Sequence, residues 1–280
     1  MTSETPDMLY HYTSVESLAL ILRSKRIRFS PLTALDDPQE QRLRSARNLA
    51  KCVFVSSWTD SEKELYAMWR EYTPLRAGVR IGLPANPFAY HENMPDELEK
   101  AMGIPCYDEA GETGYYKTRV KLADLCGSGF LLSENDPKSA ILHQVKYSDI
   151  VDELFPSLLS VEPDGNVRIE TGVCGTVKNT YWEHQSEWRY KLTVIPIDIL
   201  DCPDDMRREA AIARIQAFLT DQIDVDMPPY YELDLDDSAL SGIEIVLSPD
   251  ISPGNRLIVQ LLLDTYIPGH VAQDSDIELS

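Results

Sequence analysis

The chain of 280 residues carries 26 Lys/Arg against 46 Asp/Glu, a net charge of −20, and 43% of its residues are hydrophobic. That is enough apolar material to bury a core without staples. The five cysteines (Cys52, Cys106, Cys126, Cys174 and Cys202) are scattered and never spaced CxxC, which argues against a disulfide framework and against a cysteine-based zinc site. No apolar run approaches the ~20 residues of a membrane span. The N-terminus "MTSETPDMLYHYTS" lacks the basic-then-apolar pattern of a signal peptide, so the expected home is the reducing cytoplasm. Residues 1–80 hold 12 of the basic and 10 of the acidic residues, so the acidity lies in the remainder. Non-specific nucleic-acid binding rests on a basic surface, and the chain has none overall. The local strips "RSKRIRF" and "RLRSARNLAK" read most simply as solvated helix faces, and the acidic part as a solubility feature or a partner surface.

In chain order, "MLYHY" reads as a strand. Thr13 stands three residues before Glu16, a capping-box spacing, and opens a helix whose Val15, Leu18, Ile21 and Leu22 form the apolar face. Arg23, Lys25 and Arg26 suit that helix's C-terminal dipole. "IRFS" is the next strand, and "LDDPQEQRLRSARNLA" a helix with Asp37 as cap and Pro38 at its first position. "CVFVSSW" has the β-branched density of a buried strand. Ser61 is a candidate cap for the helix "DSEKELYAMWREY", with Leu65, Met68, Trp69 and Tyr72 on one face, and "GVRIGL" is a strand.

Residues 84–140, rich in Pro, Gly and Asp, read as an irregular insertion. "AILHQVKYSD" resumes as a strand, and "DIVDELFPSLLS" is helical up to a kink at Pro156. Residues 204–222 form a helix, "YYELDL" and "IEIVLSP" strands, and "SPGNRLIVQLLLDTY" a closing helix started by Ser252 and Pro253. The pattern predicts one domain over residues 1–267, a disordered tail over 268–280, and an α+β fold rather than a regular doubly wound sheet.

No P-loop, GxGxxG, HExxH or GxSxG occurs. The five histidines (His11, His91, His143, His184, His270) are never paired at i, i+4, and nothing asks for a metal. Three polar groups in apolar surroundings remain. His11-Tyr12-Thr13 lies at a strand-to-helix junction, where polar residues contact a ligand approaching a helix N-terminus; the alternative is a core-edge histidine bonded to a backbone carbonyl. Ser56-Ser57-Trp58 closes the strand "CVFV", either as a site or as an ordinary strand end. The third group is "YWEHQSEWRY". From Glu187 a strand places Glu187, Arg189, Lys191 and Thr193 on one face and Trp188, Tyr190, Leu192 and Val194 on the other. Trp188 then anchors the core and Glu187 is presented opposite. The alternative is a solvated face with Glu187 and Arg189 as neighbours worth ~0.5 kcal/mol. A glycosidase-like pair of Glu183 and Glu187 would lie ~13 Å apart if the segment were extended, too far for the ~5–9.5 Å such chemistry needs.

The segments "LYHYTS" (Leu9–Ser14), "DDPQE" (Asp36–Glu40), "VSSW" (Val55–Trp58), "MWREY" (Met68–Tyr72), "VKYSD" (Val145–Asp149) and "WEHQSEWR" (Trp182–Arg189), in this order, resemble a bacterial family known as domain of unknown function 2971. The likeness spans roughly residues 8–250. That family is in turn distantly similar to the histidine-type ADP-ribosyltransferases, which implies a split β-sheet core with surrounding helices and NAD as substrate, without a metal. On that pattern His11, with Tyr12 and Thr13, holds a ribose. Ser56 and Ser57 shape the nicotinamide pocket, and Tyr72 offers a stacking ring. Glu187 accepts a hydrogen bond from the nicotinamide-ribose 2′-hydroxyl and stabilises the oxocarbenium-like transition state.

Two positions depart from the pattern. Asp36 replaces the family's Asn, so an amide hydrogen bond to ligand there is in question. Gln185 replaces a Glu at the place that contacts the acceptor, as in the amide- or asparagine-modifying transferases, while some histidine-type relatives modify DNA, RNA or tRNA phosphates. The implied function is an NAD-dependent ADP-ribosyltransferase, or an NAD glycohydrolase, of the kind that serves as a bacterial toxin or antiphage effector. Its macromolecular acceptor would be protein or nucleic acid, with the charge leaning toward protein, and an inhibitory or antitoxin protein would be its partner. The alternative is a non-catalytic nucleotide-sensing or protein-interaction module.

Overall fold

In the computed structural model, residues 5–35, 37, 47–93, 116–121, 129–132, 140–156, 159–161, 167–169, 172–196 and 205–279 are described. The first elements are β1 (Met8–Ser14), α1 (Val15–Ser24), β2 (Arg26–Pro31), α2 (Arg47–Cys52), β3 (Val53–Thr59), α3 (Tyr66–Tyr72) and β4 (Gly78–Pro84). Short pieces follow: β5 (His91–Asn93), β6 (Tyr116–Thr118), β7 (Leu131–Leu132), β8 (Leu142–Gln144), β9 (Lys146–Tyr147), the single turn α4 (Val151–Leu154), β10 (Leu159–Val161), β11 (Val167–Ile169) and β12 (Val177–Lys178). A 3-10 turn, Thr180–Gln185, leads into β13 (Glu187–Ile195). Then come α5 (Asp205–Leu219), β14 (Tyr231–Asp234), α6 (Asp237–Ser241), β15 (Glu244–Leu247) and α7 (Pro253–Tyr266). The fold is α+β, built on one large antiparallel sheet in the order β14-β2-β3-β1-β4-β15, with β13 along β3 and β7 and β8 along β13.

The sheet divides at β3. One edge of β3 pairs with β13 over its full length, from Thr193↔Val53 to Glu187↔Thr59. The other edge is shared: β2 pairs at Ser30↔Val55 and Pro31↔Phe54, while β1 pairs only at Tyr10↔Thr59. Between these contacts β1 and β2 part, and the edge of β3 near Ser57 faces an opening. The phase of the ladder fixes what faces it. Glu187 O accepts from Val145 N, and Lys191 N donates to Ile141 O, so alternate residues of β13 bond away from β3. Trp188 and Tyr190 therefore make the ladder bonds to Trp58 and Ser56, and the backbone N–H and C=O of Ser57 point into the opening.

Packing explains why these strands form. One sheet face buries Leu9, Phe29, Phe54, Trp58, Ile81, Trp188, Tyr190 and Leu192 against Leu18 and Leu22 of α1 and Val259 and Leu263 of α7. The other face buries Val53, Val55, Leu32, Leu49, Cys174 and Phe218. A smaller cluster joins Tyr12 and Val246 to Met68 and Trp69 of α3. Because β13 is covered on both faces, its charged residues Glu187, Arg189 and Lys191 are buried too. The alternative of a solvated face does not hold; the charges are paired or hydrogen-bonded inside instead.

Other expectations shift. The cap of α1 is Ser14, whose hydroxyl accepts from Ser17 N at 3.0 Å, one residue beyond the expected Thr13. Helix α3 starts at Tyr66 after Leu65, not at Ser61, which lies in the preceding turn. "AILHQVKYSD" divides into β8 and β9, and the helix before Pro156 shrinks to one turn. Most of the insertion between 84 and 140, and Asp36 and Pro38–Glu40 of "DDPQE", lie outside the described residues.

Described residues of the tail expected to be disordered make defined contacts with the fold. Gln273 bridges β15: its N–H donates to Ile245 O at 2.8 Å and its carbonyl accepts from Leu247 N at 2.9 Å. Ser275 Oγ and Asp276 N both donate to the Glu64 carboxylate, at 2.6 and 2.7 Å, and Ile277 packs against the Tyr12–Trp69 cluster. Composition alone suggests disorder for an acidic tail, but here a free sheet edge and a carboxylate receive it. Among the described residues no helix is long and apolar enough to cross a membrane.

Candidate active site

Glu187 is the first residue of β13. The 3-10 turn before it ends at Ser186 in the left-handed region (φ 43°), which turns the chain into the strand. The residue is 4% exposed, and its carboxylate is held at both oxygens. Oε1 accepts from Arg189 Nε at 2.6 Å, and Oε2 accepts from Lys178 Nζ at 2.9 Å. Arg189 lies two residues on, hence on the same face of the strand, while Lys178 comes from β12. Burial alone would raise the Glu187 carboxyl, but the Arg189 and Lys178 charges, with hydrogen bonds from Arg189 and the Ser57 side chain, outweigh it and hold it at about 2. Glu187 is therefore ionised at neutral pH and is not a proton donor.

The cations are themselves tied down. Arg189 Nη1 donates to Gly175 O at 2.9 Å. Lys178 Nζ also donates to Gln185 Oε1 at 2.9 Å and lies 4.8 Å from the Trp182 ring centroid. Gln185 Nε2 donates to Tyr72 Oη at 2.5 Å. The chain of contacts runs Arg189–Glu187–Lys178–Gln185–Tyr72. Below it, Glu187 N donates to Tyr147 Oη at 2.8 Å.

His11 faces this group across the opening of the sheet. Its Nδ1 is 2.8 Å from Ser57 O, which only accepts, so Nδ1 carries the proton. Burial lowers the imidazole below its usual value, partly offset by the bond to the Ser57 carbonyl. The neutral ring then presents Nε2 as an acceptor. Its face lies 5.1 Å from the Trp58 ring, and Trp58 Nε1 donates to Ser56 Oγ at 3.0 Å.

Two cavities meet here. The smaller, about 110 Å³, is bordered by His11, Ser57, Trp58, Tyr72, Trp182, Glu187 and the residues around them. The larger, about 350 Å³, is bordered by Thr13, Arg26, Arg28 and Ser56, and shares His11, Leu35, Ser57 and Tyr72 with the first. Taken as one space they fall within the ~300–1,000 Å³ of small-molecule sites.

The structure thus brings His11, Tyr12, Ser57, Tyr72, Gln185 and Glu187 to the first cavity, and Thr13 and Ser56 to the second only. Not all are free for a ligand. Tyr12 packs edge-on against Trp69 at 4.8 Å and its hydroxyl accepts from Leu65 N at 3.0 Å. The Ser56 hydroxyl serves Trp58. Gln185 is 2% exposed, and its amide bonds Lys178, Tyr72 and, at 3.4 Å, the Glu71 carboxylate, so it forms part of the cavity wall.

Sequence reasoning missed Lys178, which no spacing marks, and gave no role to Trp182 although it opens the segment "WEHQSEWR"; buried Asp37, read only as a cap, also borders the first cavity. Arg189 was legible as the i+2 neighbour of Glu187, but its burial was not. The segment from Glu183 to Glu187 is not extended, so the spacing objection to a carboxylate pair lapses. Glu183 is nonetheless exposed and borders neither cavity. Among the described residues no group of three His, Cys, Asp or Glu could hold a metal ion.

Fold and site together define an α+β protein with a two-part cavity beside a buried, doubly paired carboxylate. Compared with family models, curated proteins and solved structures, the chain finds no match.

Proposed function

We propose that the cavity binds NAD and that the chain is a histidine-type ADP-ribosyltransferase-like enzyme, or an NAD glycohydrolase. The observation that carries this reading is the meeting of His11, Ser57, Tyr72 and Glu187, from four separate segments, on one cavity. The division of the sheet at β3 supports it, since the fold implied by the sequence resemblance has a split sheet at its core.

In this reading the bond between nicotinamide and its ribose breaks with both electrons going to the nicotinamide nitrogen, which discharges the pyridinium. Positive charge develops at ribose C1′. Glu187, ionised and rigid, accepts a hydrogen bond from the 2′-hydroxyl and stabilises that cation electrostatically. Water, or a nucleophile on a protein or nucleic-acid acceptor, adds to C1′ and releases its proton. His11 Nε2 accepts from a ribose hydroxyl, and Tyr72 supplies an aromatic face for the nicotinamide ring. Arg26 and Arg28 border the larger cavity, where a pyrophosphate would lie, beside Asp234 at 2.6 Å and Glu232 at 3.6 Å. An inhibitory protein partner belongs to the same reading.

A second reading is a nucleotide-binding module without turnover. It is favoured by the engagement of both Glu187 oxygens by cations, which offsets the charge a cationic transition state needs. Incubation with NAD, with binding followed by calorimetry and nicotinamide release by chromatography, separates the two. The enzyme reading expects release that disappears in Glu187→Gln. Because that variant leaves two buried cations short of a partner, Glu187→Gln/Lys178→Met, which keeps the charge balanced, is measured beside it. Binding without release supports the module, and absence of NAD binding sinks the enzyme reading.

A further inference from the structure

We propose that Lys178 is the positioning residue of this site: its one ammonium sets the place of the Glu187 carboxylate and, through Gln185, the place of the Tyr72 ring. The kinetic part of the proposal rests on the NAD reading; the structural part does not.

An ammonium has three donors and no acceptor. Lys178 directs one to Glu187 Oε2 and one to Gln185 Oε1, both at 2.9 Å, and its charge lies over the Trp182 ring at 4.8 Å. The side chain is 6% exposed, so solvent offers little alternative. Arg189 holds the other oxygen of Glu187, and the Ser57 side chain also bonds the carboxylate. The last torsion of a glutamate is broad and weakly restrained, so the loss of one of its two cationic anchors lets the carboxylate turn. A second anchor, arriving from a different strand, fixes the carboxylate plane.

The second arm carries the same constraint outward. Gln185 cannot reverse its amide without placing its NH₂ against the Lys178 ammonium, so its Nε2 stays directed at Tyr72 Oη, 2.5 Å away, and toward Glu71 Oε2 at 3.4 Å. Tyr72 borders both cavities, so Lys178 couples the carboxylate in one to the ring at their junction. A lysine that merely neutralised Glu187 would have no reason to affect Tyr72.

The test compares Lys178→Met, Lys178→Arg and Gln185→Leu in the full chain, each checked by thermal melting. Three quantities are read: the titration of the Glu187 carboxyl by carbon-13 NMR, the fluorine signal of Tyr72 in fluorotyrosine-labelled protein (assigned with Tyr72→Phe), and kcat and KM for nicotinamide release from NAD. Lys178→Met is expected to move the Glu187 titration upward, shift the Tyr72 signal, and lower kcat by about tenfold or more. Lys178→Arg, which restores the charge, is expected to recover the titration and only part of kcat. Gln185→Leu is expected to shift Tyr72 and raise KM while leaving the Glu187 titration in place. The proposal is overturned if a folded Lys178→Met leaves the Tyr72 signal unmoved, or if Gln185→Leu does. Should Lys178→Met not fold, Lys178→Arg and Gln185→Leu decide through the same signals. If the wild type releases no nicotinamide, the NAD reading fails, while the two spectroscopic readouts still judge Lys178.

Discussion

Lys178 and Arg189 hold opposite oxygens of one buried carboxylate, at 2.9 and 2.6 Å, and they reach it from different strands. Two cations against one anion leave a local surplus of positive charge, so removing the anion is worse than removing either cation. Breaking a buried pair from one side costs about 3–5 kcal/mol because a charge is left uncompensated. Glu187→Gln is therefore expected to lower the unfolding free energy by roughly that amount. Glu187→Gln/Lys178→Met should lose less, since one cation leaves with the anion. Urea unfolding of the three proteins measures both; a double variant less stable than the single would contradict the account.

Acid stability follows from the same carboxyl. Its folded value of about 2 lies below the usual 4.5, so the unfolded chain binds the proton more readily. Its contribution is fully present above pH 4.5 and is lost progressively as pH falls toward 2. The urea midpoint of wild type should drop across that window relative to the double variant, which lacks the group. Parallel profiles for the two proteins would show that Glu187 is not the titrating element.

His11 gives a second, separate limb. Its ring is depressed below the ordinary 6.5, so it remains neutral in the folded protein where the unfolded chain already takes up a proton. Stability attributable to it is present above pH 6.5 and declines as pH falls below that value. Ligand affinity should follow a related course, because protonated Nε2 turns from acceptor to donor. Calorimetric NAD binding is expected to be flat above pH 6.5 and to weaken on the acid side. His11→Leu should bind less tightly throughout and lose that limb.

The tail offers a test remote from the charges. Ile277 packs on the cluster that holds Met68 and Trp69, and Ser275 and Asp276 bond Glu64, which also accepts from Trp69 Nε1 at 2.8 Å. Ile277→Asp is expected to cost about 1–3 kcal/mol, the usual range for burying a polar group in an apolar contact. Hydrogen exchange should show the loss concentrated in α3, whose Met68 and Tyr72 border the first cavity. Exchange rising uniformly across the sheet would argue against a local link.

The long strands were legible because their apolar density is local information. β1, β3, β4 and β15 fall where β-branched and aromatic runs put them, and Ser252 and Pro253 open α7 as the capping rules require. The site was legible only in part. His11, Ser57 and Glu187 stand in segments whose polar residues are conspicuous among apolar neighbours. Lys178 stands in "TVKNTYW", which has no periodicity, and its partners are fixed by the turn Thr180–Gln185, which brings Glu187 back to the Lys178 side chain. The alternation in β13 was read correctly, but alternation cannot say that both faces are covered; that depends on elements supplied by distant sequence. Gln185 was legible as a polar residue near Glu187, while the direction of its amide depends on Lys178.

The shared edge of β3 also bears on when the site comes into being. Its opening exists only after β1 and β2 have taken their separate places, and its carboxylate arrives only when β13 pairs along the opposite edge. Pairings between segments so distant in the chain form slowly, since loop closure precedes the contacts that reward it. During synthesis, His11 and Ser57 emerge long before Glu187, so a nascent or half-folded chain has one wall of the cavity and no carboxylate. Any activity of the site is therefore confined to the completed fold.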